Sequence, residues 1–97
     1  MEDIIIQAIQ QKRLIEFYYH GLYRIAKPHV LGIKDRVKQV LVYQIPGQSR
    51  LGKLPNWRRI NLREISRLRI LTETFAGSRP FPSGIHSSWN VQIKVVR

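Results

Sequence analysis

The segment Gln39–Ile65, QVLVYQIPGQSRLGKLPNWRRINLREI, concentrates side chains that stack on flat groups with side chains that bind anions. Tyr43 and Trp57 offer aromatic faces, and such a face against a nucleobase is worth about 1–3 kcal/mol. The planar fork of Arg58 suits a phosphate or carboxylate, gripped through two parallel hydrogen bonds. Gln44 ends an apolar run, where its amide must find a partner; a base edge or a loop backbone would serve. Ser49 lies between Gly47 and Gly52, where a hydroxyl and free turn amides could meet a phosphate together. Arg24 and His29 belong to an earlier strand and are candidates for the same ligand, Arg24 as an anion contact and His29 set in place by Pro28. Arg50, Lys53 and Arg59 flank the loop and are expected to track a phosphate backbone. From 50 to 69 there are seven Lys and Arg, and Glu64 is the only acid.

This set reads as a binding site, not as a catalytic one. The Gly47–Leu54 run has neither the Ser/Thr after its Lys nor the helix that a phosphate-gripping P-loop requires. His20, His29 and His86 lack metal-ligand spacing, and the six acids are scattered. No Ser or Thr sits in a nucleophile-elbow pattern. The expectation is therefore no catalytic residue, no cofactor and no metal.

Each candidate has a plainer alternative. Strand alternation sets Arg58 with Ile60 and Leu62 on the apolar side, and Trp57, Arg59 and Asn61 on the other. An arginine on the apolar side must find a partner or snorkel to the rim; a bulge would turn it to water instead. Tyr43 could be core with its hydroxyl at the rim, Trp57 a cover for one end of the sheet, and Arg24 a solvated charge. A lone His is commonly a hydrogen-bonded structural residue.

The elements that must position these residues are short. Residues 3–13 predict a helix, capped by Asp3, with Ile5, Ala8 and Ile9 on one face. Strands are expected at 14–20, 23–33, 38–45, 57–62 and 65–71. Gly21 and Lys34-Asp35-Arg36 make turns, and Pro28 marks an edge, bulge or bend. Residues 46–56 form the longest loop, a length that is often functional in a small domain. Ala76–Gly84 has linker composition, and the alternation of Val91, Ile93 and Val95 leaves a closing strand or an exposed arm. The fold class is thus mainly β with one N-terminal helix: a small bent sheet or barrel of about five strands over residues 1–75, then a linker and a C-terminal strand or arm over 76–97.

Seventeen Lys and Arg against six Asp and Glu give a net charge of +11, the footprint of a phosphate-rich partner. A subunit neutralised by an acidic partner would read the same way. Hydrophobic content of 43% suits one globular domain. The absence of cysteine excludes a disulfide scaffold and thiolate-ligated zinc. The N-terminus lacks a signal-peptide pattern and no apolar run is long enough for a membrane span, so a cytoplasmic protein with no membrane partner is expected.

Taken in order, these pieces resemble a WYL domain. The matching pieces run over residues 3–75: Ala8-Ile9 with Lys12-Arg13, Ile15-Glu16-Phe17-Tyr18-Tyr19, Tyr23-Arg24-Ile25 with Lys27-Pro28-His29, Leu41-Val42-Tyr43-Gln44, and Trp57-Arg58 with Ile60-Asn61-Leu62 and Ile65. The Tyr-Gln-Ile-x-Gly-x-Ser-x-x-Gly-x-x-Pro-x-Trp-Arg series is similar to a compact single-domain subgroup. The Trp-Tyr-Leu triplet itself is replaced around Lys38-Gln39-Val40, Ile60 stands where an aromatic is usual, and no helix-turn-helix pattern precedes the domain. The resemblance implies an Sm-like, SH3-type fold and a non-catalytic ligand-sensing or effector module. Its expected ligand is single-stranded DNA or RNA, or a nucleotide. A homo-oligomer or a larger nucleoprotein partner is the alternative use of such a barrel and tail.

Overall fold

The computed structural model describes residues 1–45, 56–78 and 88–97. Among the described residues the chain forms one α-helix, α1 (Glu2–Gln11), six strands, β1 (Arg13–Tyr19), β2 (Leu22–Lys34), β3 (Val37–Gln44), β4 (Asn56–Asn61), β5 (Ile65–Thr74) and β6 (Val91–Val95), and a short 3-10 helix, Leu62–Glu64, between β4 and β5. They make one bent antiparallel sheet in the order β4-β3-β2-β1-β5, with β6 added to β2, and the sheet does not close. The expected fold class is thus observed, with the C-terminal strand as a sixth member of the sheet.

The helix starts one residue earlier than its sequence signals suggest. Met1 is the N-cap, through its carbonyl, and Glu2 and Asp3 lie in the first turn, where acidic charge is favourable. Asp3 is therefore not the cap. Ile5, Ala8 and Ile9 are buried, as their spacing requires. Lys12 ends the helix in the left-handed conformation, φ 55°, and the chain turns straight into β1. Two hairpins follow with two-residue turns, His20-Gly21 and Asp35-Arg36, all four residues at positive φ. That pattern matches the twist of paired strands.

β2 is the spine. Its first part pairs with β1 as far as Ala26, and its last part pairs with β6 from Val30 onward. Pro28 falls between the two partners, so its missing N–H leaves no ladder bond unmade on that side. His29 is the extra residue of a bulge, since Pro28 faces Val42 while Val30 faces Leu41. Of the edge, bulge or bend expected at Pro28, the structure has the bulge.

Strand alternation divides the sheet. Ile15, Phe17, Tyr19, Ala26, Leu31, Val40, Val42 and Ile60 join the helix, Leu62, Ile65 and Val96 in one core. This is the inner face. Burial of a side chain such as Phe17 contributes about 1.5–3 kcal/mol. The outer face carries Tyr18, Tyr23, Lys27, Leu41, Tyr43, Trp57 and Arg59, from the registers that link the strands.

Candidate functional site

Arg24, Gln44 and Arg58 reach the inner face at the sheet end from which the β3–β4 connection departs. The register Ala26↔Gln44↔Asn56, with Val42↔Arg58 beside it, sets them there. Arg58 shares that face with Ile60, as its alternation predicts. Gln44 is only 3% exposed, and its Oε1 accepts a hydrogen bond of 3.2 Å from Arg24 Nη1. The Arg24 guanidinium also lies 5.3 Å from the centroid of Tyr19, a weak cation–π contact. Tyr19 in turn accepts a hydrogen bond at its hydroxyl from the Asn61 backbone.

The electrostatics of this corner are unusual. Burial, and next the positive charge of Arg58, push the Arg24 pKa below its ordinary value; Tyr19 partly offsets them. Two guanidinium groups therefore share one half-buried corner. All six acids of the chain lie among the described residues, and neither arginine forms an ion pair there. The acids that do pair are elsewhere: Glu2 with Lys38, Glu16 with Arg69, and Glu64 with His20. Nε of Arg24 and Nε of Arg58 are both buried without a hydrogen-bond partner among the described residues. A buried donor left unmade costs about 1–3 kcal/mol, and more when it is charged. An anion between the two forks would satisfy both donors and remove the repulsion.

His29, Tyr43 and Trp57 assemble on the other face. Trp57 meets Tyr43 edge-on at 5.1 Å between ring centroids and His29 edge-on at 4.7 Å. Lys27 lies 5.9 Å from the Tyr43 centroid. His29 is fully buried, and its Nδ1 donates to the Lys27 carbonyl at 2.7 Å, which fixes the ring's proton on Nδ1. The sequence-derived set is thus divided by the sheet: Arg24, Gln44 and Arg58 on the inner face, His29, Tyr43 and Trp57 on the outer. Ser49, Arg50 and Lys53 lie outside the described residues.

Arg59 has a different engagement from the one expected of it. Its guanidinium stacks over Trp89 at 4.1 Å, and donates to Gln39 Oε1 at 3.2 Å and to Ser88 Oγ at 2.8 Å. Burial pushes its pKa below the ordinary arginine value. It clamps the C-terminal segment onto the outer face. No sequence signal links Arg59 to Trp89, because the contact needs the β6 register. Tyr19, which lines the Arg24 corner, is a residue that strand alternation marks only as apolar core.

No protein-family model, no curated protein and no solved structure matches this chain. No helix among the described residues is long and apolar enough to cross a membrane.

Proposed function

We propose that this chain is a non-catalytic binding or regulatory module of the WYL type. Its ligand is single-stranded nucleic acid or a nucleotide, gripped by phosphate between Arg24 and Arg58. The observation that carries this reading is the pair of inward-facing arginines, each with a buried Nε that lacks a partner among the described residues, and neither in an ion pair there. Gln44 orients Arg24 and leaves its amide NH2 for a base edge or a further phosphate oxygen. The net charge of +11 favours encounter with a polyanion.

A titration panel tests this reading. Labelled single-stranded DNA, single-stranded RNA, duplex DNA and nucleotides are each titrated by fluorescence anisotropy at two salt concentrations. Binding to a single strand should weaken as salt rises, with a log–log slope of about 0.7 per phosphate neutralised. Binding indifferent to salt, or none to any phosphate-bearing probe, refutes the reading.

A second reading has one specific observation behind it. Val91, Ile93 and Val95 of β6 are 49, 37 and 42% exposed on a strand that, among the described residues, is paired along one edge only. An apolar edge of this kind favours pairing with another chain. Under that reading the molecule docks or oligomerises through β6, and a monomer by light scattering at high concentration counts against self-pairing.

A further inference from the structure

The outer face holds a second cluster, on the opposite side of the sheet from the Arg24–Arg58 corner. Tyr18 and Tyr23 are register partners on β1 and β2, with ring centroids 5.5 Å apart and planes tilted by 59°. Tilted rings do not use up each other's faces, and Tyr18 is 37% exposed. Tyr23 is fixed at its far end, where its hydroxyl donates to Glu16 Oε1 at 2.6 Å. The other Glu16 oxygen pairs with Arg69 Nε at 3.4 Å, so the carboxylate at the centre of the cluster is engaged on both oxygens. Arg69 remains 75% exposed and can turn to another anion.

Arg67 is the informative residue. β5 carries a register shift opposite Glu16 and Tyr18, with Arg69 facing Glu16 and Ser66 facing Tyr18. Within that shift Arg67 has φ 53°, a left-handed conformation that favours glycine. An arginine at this position is strained where glycine would be relaxed, and strain of this kind gathers where a side chain has work to do. The arrangement sets the Arg67 guanidinium 5.7 Å from the Tyr18 centroid, at the outer limit of cation–π attraction, about 6 Å. The contact is weak, and the guanidinium can exchange it for a phosphate.

The geometry points to a stacking platform for single-stranded nucleic acid made by Tyr18 and Tyr23, with Arg67 and Arg69 as its phosphate contacts. Flat faces interleaved with cations on an open sheet suit unstacked bases joined by phosphates. An acidic peptide would use the cations and leave the tyrosine faces idle. This inference goes beyond the Arg24–Arg58 reading and requires neither of those residues.

The test uses the full chain and a labelled oligothymidylate, with each variant checked for a native circular dichroism spectrum and melting curve. Tyr18→Leu keeps apolar bulk on the strand and removes the aromatic face; it should weaken binding about five- to a hundredfold, the range for one lost base stack. Tyr18→Trp should restore it. Arg67→Gly relaxes the backbone, so it should melt no lower than wild type, yet bind more weakly and with a salt slope smaller by about 0.7. A Tyr18→Leu variant that binds like wild type overturns the platform, and if Arg58→Ala alone loses affinity the inner pocket stands without it. Loss in Tyr18→Leu with none in Arg58→Ala has the opposite meaning: the platform stands and the pocket fails. Polyglutamate that competes as well as unlabelled oligothymidylate would assign the face to an acidic protein and overturn the inference.

Discussion

Arg58→Ala should lose binding and gain stability at once. The charge-assisted hydrogen bonds of a guanidinium to phosphate contribute about 1.5–3 kcal/mol, so affinity for a phosphate ligand should fall about ten- to a hundredfold. The free protein should respond in the other direction. Removing Arg58 frees the neighbouring Arg24 from a like charge and deletes a buried donor that has no partner among the described residues. The stability–activity trade-off of functional sites sets this direction, and stabilising substitutions commonly gain about 0.5–2 kcal/mol. Arg36→Ala is the control, an exposed cation in the β2–β3 turn worth well under 1 kcal/mol to binding. Arg58→Lys should not recover affinity, because a point charge lacks the planar fork. Thermal melts of the ligand-free variants and titrations with a single-stranded oligonucleotide supply both readings. Equal affinity losses in Arg58→Ala and Arg36→Ala would reduce the site to a diffuse basic surface.

Gly32→Ala should have the largest effect on the fold. A Cβ built there would lie 2.4 Å from the Val91 carbonyl oxygen and 2.6 Å from Trp89 Cε3. One obstacle is backbone and the other is a ring held by Arg59, so neither yields cheaply. The least costly response is for β6 to lift from β2. That withdraws the ladder from Val30 to Ile33 and loosens Val96, which is 5% exposed in the core. Overpacking of this kind costs about 1–3 kcal/mol. For a domain this size each kcal/mol is about 4–8 °C in melting temperature. Gly21→Ala is the comparison: Gly21 has φ 77° with nothing within 4 Å of its would-be Cβ, so its cost is conformational only, about 1–2 kcal/mol. Limited proteolysis should release the C-terminal segment from Gly32→Ala and not from Gly21→Ala. A Gly32→Ala protein that melts with wild type would mean that β6 accommodates the methyl without leaving the sheet.

Much of this architecture is written in short-range patterns. The Ile5-Ala8-Ile9 stripe, Gly21 and the alternation through Ile15, Phe17 and Tyr19 each identify one element from its own residues. Arg58 is assigned to the apolar side by its alternation with Ile60 and Leu62, and the register with Val42 agrees. What local pattern does not carry is register between strands. Arg24 and Arg58 meet because the β2–β3 and β3–β4 ladders bring them to one corner, and a one-residue slip would turn either to the opposite face. The same ladders send His29, Tyr43 and Trp57 to the outer face, although the sequence groups them with Arg24 and Gln44. The bulge at His29 is foreshadowed by Pro28, but its partner Trp57 is not. The closing strand is the extreme case. The alternation of Val91, Ile93 and Val95 fits a strand or an arm equally well, and the deciding contacts, Trp89 on Gly32 and Arg59 on Trp89, join residues far apart in the chain.

Under the proposed function, Arg24 and Arg58 receive one anion through donors that have no partner among the described residues. The most direct measurement is an NMR spectrum of the arginine Nε–Hε groups, followed through a titration with a short 5′-phosphorylated oligothymidylate. The Arg24 and Arg58 signals are expected to shift together, saturate with one shared Kd, and move further than those of the exposed Arg36 and Arg63. Signals of Arg24 and Arg58 that stay fixed while the exposed arginines drift with added ligand would contradict it.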